Sequence, residues 1–315
     1  DGSITAWGNA NYGGSGAPSG TGYTKVYSNG YAFAALKSDG SIKAWGYANY
    51  GGSGAPTDSG YTRIYSTGAA FAALKPDGSI TAWGYATIGG SGAPTDTGYT
   101  RIYSTNGAFA ALKPDGSITA WGNANYGGSG APTDTGYTQI YSNKYAFAAL
   151  KPDGSIKAWG KANYGGSGAP TDTSYIKIYS TNHAFAALKS DGSIKAWGDA
   201  TSGAPTDTGY THIYSTDSAF AALKSDGSIT AWGYANYGGS GAPTDTGYTH
   251  IYSTSYAFAA LKSDGSITAW GDANNGGSGA PTSTCAQTTI STATQLTLDT
   301  NGLTYSDSLN NLIFK

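Results

Sequence analysis

Three features of the chain predict an all-β fold, a β-propeller of 38-residue, three-stranded blades. The first is recurrence. The frame Asp-Gly-Ser-Ile-Thr/Lys-Ala-Trp-Gly begins at Asp1, Asp39, Asp77, Asp115, Asp153, Asp191, Asp226 and Asp264, and it contains all 8 tryptophans. Its step is 38 residues except for 35 between Asp191 and Asp226, and a fixed period of about 20–50 residues marks a solenoid, propeller or array. The second is composition: Gly, Thr, Ser, Tyr and Ala dominate, every acidic residue is Asp, and helix formers are scarce. The third is the Asp-Gly pair between two apolar runs, the strongest short-range signal for a tight hairpin.

The unit around Asp115 shows each element. Tyr99–Ser104 is a first strand, Thr105-Asn106-Gly107 a short connection, and Ala108–Lys113 a second strand. Pro114-Asp115-Gly116 turns the chain into a third strand, Ser117–Gly122, and a long return follows to Gly136. Ala108, Ala110 and Leu112 fall on one face of the second strand and Phe109 on the other, while Ile118 and Trp121 oppose each other on the third. A sheet apolar on both faces has to be sandwiched between neighbours, so the unit cannot stand alone.

Seven units are intact, at 23–46, 61–84, 99–122, 137–160, 175–198, 210–233 and 248–271. Asp1–Gly8 is a third strand lacking its first two, and Thr288–Thr292 and Thr294–Asp299 lie near where those two belong. Pairing them would close an eight-bladed ring without free edges, and eight is the favoured count. Seven is the alternative, because Asn301–Tyr305 can serve as the tail's own strand. The propeller is expected over 1–300, with 301–315 as the start of a further segment.

The repeat Gly-Tyr-Thr-x-Ile-Tyr-Ser, Ala-Phe-Ala-Ala-Leu-Lys-x-Asp-Gly-Ser-Ile-x-Ala-Trp-Gly and Asn-x-x-Gly-Gly-Ser-Gly-Ala-Pro resembles that of the regulator-of-chromosome-condensation (RCC1-like) propellers. It is most similar to their compact bacterial form, represented by beta-lactamase inhibitor protein II, with three-stranded blades. The resemblance spans residues 1 to about 282. Phe stands where the family often has His before the middle strand (Phe33, Phe71, Phe109, Phe147, Phe185, Phe220, Phe258), and Gly-Gly-Ser-Gly replaces Gly-Gln-Leu-Gly. The resemblance implies the fold; a family partner does not transfer.

Charge excludes some functions. A net charge of −2, with charged residues at 11%, offers no basis for binding nucleic acid or inserting into membrane. The single Cys285 excludes an intrachain disulfide or a cysteine metal cluster, and it reads as a small buried thiol. With no Met, no signal peptide and no transmembrane run, the chain reads as a processed segment of an extracellular or cell-surface protein. No cofactor, metal or catalytic residue is expected. His212 and His250 occupy equivalent positions in neighbouring units but lack further ligands, and one Asp-Gly turn per blade cannot supply a close acid–base pair.

Near-identical units make their differences informative. Position sets diverge after Trp-Gly (Asn9, Tyr47, Tyr85, Asn123, Lys161, Asp199, Tyr234, Asp272), between the first two strands, and on the first strand (Lys25, Arg63, Arg101, Gln139, Lys177, His212, His250). The first two sets belong to one end of the sheets and are expected to form one ring face. The third points to the central channel or an inter-blade gap. Partner-binding candidates are Tyr31, Tyr145, Tyr256, Lys144, His183, Tyr47, Tyr85 and Tyr234. Tyr12, Tyr50, Tyr126, Tyr164 and Tyr237 precede Gly-Gly-Ser-Gly or its equivalent, and read either as sugar platforms or as packing anchors of the return loop. The expected function is non-catalytic protein binding at the loop face. The alternatives are a structural subunit of an extracellular filament, sheath or matrix, with self-assembly, and a lectin with shallow repeated sugar sites.

Overall fold

The computed structural model describes residues 1–199 and 203–281, and the backbone of 296–299 and 302–305. Seven three-stranded antiparallel sheets follow one another, each in the order first, second, third strand. In the third blade the strands are Arg101–Ser104, Ala108–Leu112 and Ile118–Gly122, with Ile102 opposite Ala111 and Phe109 opposite Trp121. The Asp-Gly turns are tight: Gly116 lies at φ 79°, and Asp115 Oδ1 accepts from the Ser117 N–H at 2.9 Å and hydroxyl at 2.7 Å. A Cβ on Gly116 would come within 2.2 Å of the Tyr137 nitrogen. The turn therefore also docks the next blade, whose Gly136 N–H donates to the Asp115 carbonyl.

Blades stack through six matching cores. One face is small and flat: Ala70, Ala72, Leu74 and Ile80 of the second blade. It meets the large face of the third: Tyr99, Ile102, Phe109, Ala111 and Trp121. Phe109 stacks on Trp121 at 5.1 Å, and Trp121 Nε1 donates to the Gly89 carbonyl at 3.1 Å, so the indole's one polar atom is satisfied when buried. Small-against-large packing lets the sheets approach at interior density. In the sixth blade, whose preceding step is 35 residues, Trp232 Nε1 is buried without an acceptor among the described residues.

The eight-bladed expectation is corrected: seven three-stranded blades form among the described residues, the number held as the alternative. Asp1–Gly8 does take the place of a preceding third strand, since Gly22 N–H donates to Asp1 O and Tyr23 N–H to Gly2 O, as Gly60 and Tyr61 do to Asp39 and Gly40. Yet no strand pairs with it among the described residues. With no middle strand beside it, it has no ladder partner and stays outside any sheet. Leu296–Asp299 pairs instead with Gly302–Tyr305. Thr288–Thr292, Cys285 and 306–315 lie outside the described residues.

Candidate functional site

The loops at the Trp-Gly end are mounted by one side chain in six of the seven blades, among the described residues. Asn29 Oδ1 accepts from the Tyr31 and Ala32 N–H groups, each at 2.8 Å, and Asn29 Nδ2 donates to the Tyr50 carbonyl at 2.8 Å. Asn143 repeats this for Tyr145, Ala146 and Tyr164. Thr67, Thr105, Thr216 and Thr254 reach the equivalent carbonyl through a hydroxyl. A strand-connecting loop and a return loop, 21 residues apart, thereby become one rigid mount.

The return loop makes a single 3-10 turn, Ala48–Tyr50 in its second copy, ended by Gly51 at φ 98°. A Cβ there would stand 2.7 Å from the Phe71 ring, so glycine keeps the loop seated on the core. The residue after Trp-Gly divides into two kinds. Asn9, Asn123 and Asp272 cap the turn through a side-chain hydrogen bond, whereas Tyr47, Tyr85, Lys161 and Tyr234 do not. A lost cap costs about 0.5–2 kcal/mol in an α-helix, yet these copies present an aromatic or a cation to solvent instead. Tyr47, Tyr85 and Tyr234 are 41–47% exposed, which is unusual placement for large side chains.

The two tyrosine sets expected to be rival sites are interleaved in one surface. Tyr31 lies 5.8 Å from Tyr12 and 4.7 Å from Tyr50, and Tyr50 stacks on Tyr47 at 4.8 Å and meets Tyr85 edge-on at 5.3 Å. A second patch joins Tyr126, Tyr145, Tyr164 and His183 at 4.7–5.4 Å, with Lys161 Nζ 4.4 Å over the Tyr164 ring. The third joins Tyr237 to Tyr256 at 5.1 Å and to Tyr234 at 6.4 Å. The breaks have visible causes. Ile88 and Gly107 interrupt the series in the second and third units, and the shortened 35-residue step and Ser218 interrupt it later.

Electrostatics differ between patches. Burial holds His183 below its ordinary pKa, against the pull of Asp199, so it is uncharged at neutral pH. The Asp199 charge beside Tyr234 pushes that phenol up, and its hydroxyl donates to Asp199 at 3.2 Å. Lys144 falls elsewhere than its neighbour Tyr145. It lines an axial cavity of about 730 Å³ with Asn106, Asn182 and Asp217. There the loops join hands: the N–H groups of Gly30, Gly68, Asn106, Lys144, Asn182 and Asp217 each donate to the next blade's loop carbonyl. No signal in the sequence marks this chain of backbone bonds, nor the mounting role of Asn29 and Asn143, because both depend on partners one blade or one return loop away.

No protein-family model matches the chain, and no curated protein matches it. Solved structures similar to it include the ectodomain of the receptor kinase CR4 from Physcomitrella patens, at 17% identity over 78% of this chain and 72% of that one, TM-score 0.46. The CRINKLY WD40 ectodomain of the Arabidopsis thaliana receptor kinase ACR4 is 20% identical over 78% and 93%, TM-score 0.43. Yeast RCC1 (Prp20), solved bound to Kap60, is 16% identical over 79% and 70%, TM-score 0.42. The seven sheets themselves carry the fold, and these likenesses carry nothing about a partner. Among the described residues no group of three His, Cys, Asp or Glu side chains is placed to hold a metal ion, and no helix is long and apolar enough to cross a membrane.

Proposed function

We propose that this chain is a non-catalytic binding propeller that engages a protein partner through the aromatic loop face, at the cell surface or outside the cell. The carrying observation is the set of three tyrosine patches, partly exposed and rigidly mounted by Asn29, Asn143 and their Thr equivalents. Tyrosine supplies large, amphipathic contact area at low conformational cost, and such anchors dominate many protein interfaces. Patches lying on different blades suit a partner that spans the face.

Affinity capture from the native setting tests this, comparing the wild type with a Tyr47→Ser/Tyr85→Ser/Tyr234→Ser variant of equal melting temperature. A protein held by the wild type and lost by the variant is expected; equal capture by both overturns the reading. A lectin would instead bind a glycan array in a manner sensitive to the same substitutions. A filament subunit would show ordered assemblies by electron microscopy that survive them.

A further inference from the structure

The first strands hold a feature that protein binding at the loop face does not use. They are the inner strands of the propeller: each touches the first strand of the next blade, from the first blade to the seventh. At one repeat position they carry Lys25, Arg63, Arg101, Gln139, Lys177, His212 and His250, all exposed. Both arginines of the chain are in this set, and no first strand carries an acidic residue.

Two residues further along each strand stands a tyrosine on the same side. Lys177 Nζ lies 4.7 Å over the Tyr179 ring, the His212 and Tyr214 rings are 6.4 Å apart, and His250 and Tyr252 likewise. Tyr27 reaches across to the next blade's Ile64 backbone and feels the Arg63 charge. The basic side chains therefore project between adjacent inner strands, at the axial rim away from the loop mouth. His212 and His250 each have Nδ1 against a Thr hydroxyl at 3.2 Å.

Some lysines elsewhere are neutralised by a built-in partner. The six from Lys75 to Lys262 at the ends of second strands each pair with an aspartate of the return loop. None of Lys25, Arg63, Arg101 and Lys177 forms an ion pair among the described residues. A molecule of net charge −2 thus keeps a group of unpaired cations on its inner strands, and like charges gathered around an axis raise the local potential toward an anion.

We propose that this axial rim is a binding site for a compact polyanion bearing phosphate or sulfate groups. Contact between successive inner strands lets one ligand meet neighbouring blades at once. The arginine forks suit the tetrahedral oxyanion, Lys25 and Lys177 add point charge, and Gln139 and the histidines add donors.

Titration calorimetry of the full chain with inorganic tripolyphosphate in low salt tests the site, with inositol hexakisphosphate and sucrose octasulfate to separate phosphate from sulfate ligands. Saturable binding to at least one is expected, weakening as salt screens it. Arg63→Gln/Arg101→Gln should weaken it at least about tenfold, the loss of about 1.4 kcal/mol, with melting unchanged. Lys43→Gln/Lys157→Gln, which removes two exposed third-strand lysines, should leave it intact. Should the arginine variant fail to fold, Lys25→Gln/Lys177→Gln makes the same comparison. No saturable binding to any of the three, or equal weakening by the Lys43/Lys157 pair, overturns the proposal.

Discussion

A tryptophan repeated eight times occupies two environments. Trp121 is buried at 4% exposure, stacked on Phe109 and bonded to Gly89, whereas Trp7 is 83% exposed. The same substitution should therefore have consequences of very different size. Trp121→Ala is expected to destabilise by about 3–5 kcal/mol, and Trp7→Ala by less than about 0.5 kcal/mol, in denaturant titration. Ser174 gives a finer test. It is the one non-glycine residue at positive φ (75°) among the described residues, where Gly60, Gly98, Gly136, Gly209 and Gly247 stand in other units. Ser174→Gly should raise stability by up to about 1 kcal/mol, and Gly136→Ser should lower it by about 1 kcal/mol or more, read as shifts in melting temperature. Residue roles fixed by local geometry were legible from the repeat itself, as at Asp115-Gly116. Asn29 was not, because its meaning lies in the Tyr50 carbonyl, 21 positions away.

At the scale of the blade, a polar staple fastens the return loop to the sheet it enters in six of the seven blades. Asp58 accepts from the Tyr61 hydroxyl at 3.0 Å and pairs with Lys75, whose Nζ lies 4.8 Å over the Tyr61 ring. The Lys75 hydrogen bond, aided by Tyr61, holds the Asp58 carboxyl below its ordinary range, and Ser79 does the same for Asp77. A carboxyl with a depressed native pKa contributes stability that is present above its unfolded value and lost as pH falls through the native one. Lys75 is raised by Asp58, so its contribution is present below its unfolded value and lost as pH climbs through the native one. Melting temperature is expected to be level from about pH 5 to 9 and to drop below about pH 4; a level profile down to pH 2.5 would count against the staples. Exposure makes each one weak, and repetition makes their sum measurable. The three-stranded blade was readable from apolar runs and turn residues. The staple was not, since Asp58 and Lys75 belong to different stretches of one repeat, and nothing in their spacing pairs them.

At the scale of the molecule, the repeat dictated a stacked propeller, and the face-to-face cores follow from Ala on one side of each blade and Phe and Trp on the other. Closure was less legible. Asp1–Gly8 reads as a strand because its sequence is a third strand's, but a strand exists only with a partner, and the three-stranded sheets among the described residues number seven. The candidate face shows the same limit. Two tyrosine sets looked like alternatives along the chain, and the short step across each mount merges them, with Tyr31 between Tyr12 and Tyr50. Breaks at Gly107 and Ser218 then set where one patch ends and another begins.

The most direct test is the dissociation constant of the captured protein partner for a Tyr31→Ala/Tyr145→Ala/Tyr256→Ala variant. Ala69 and Gly107 already occupy this position in other units, so the variant should melt with the wild type. Tyrosine anchors commonly contribute about 2 kcal/mol or more, so the account predicts a loss of affinity of at least about 30-fold. A folded variant that binds the partner as tightly as the wild type would contradict it.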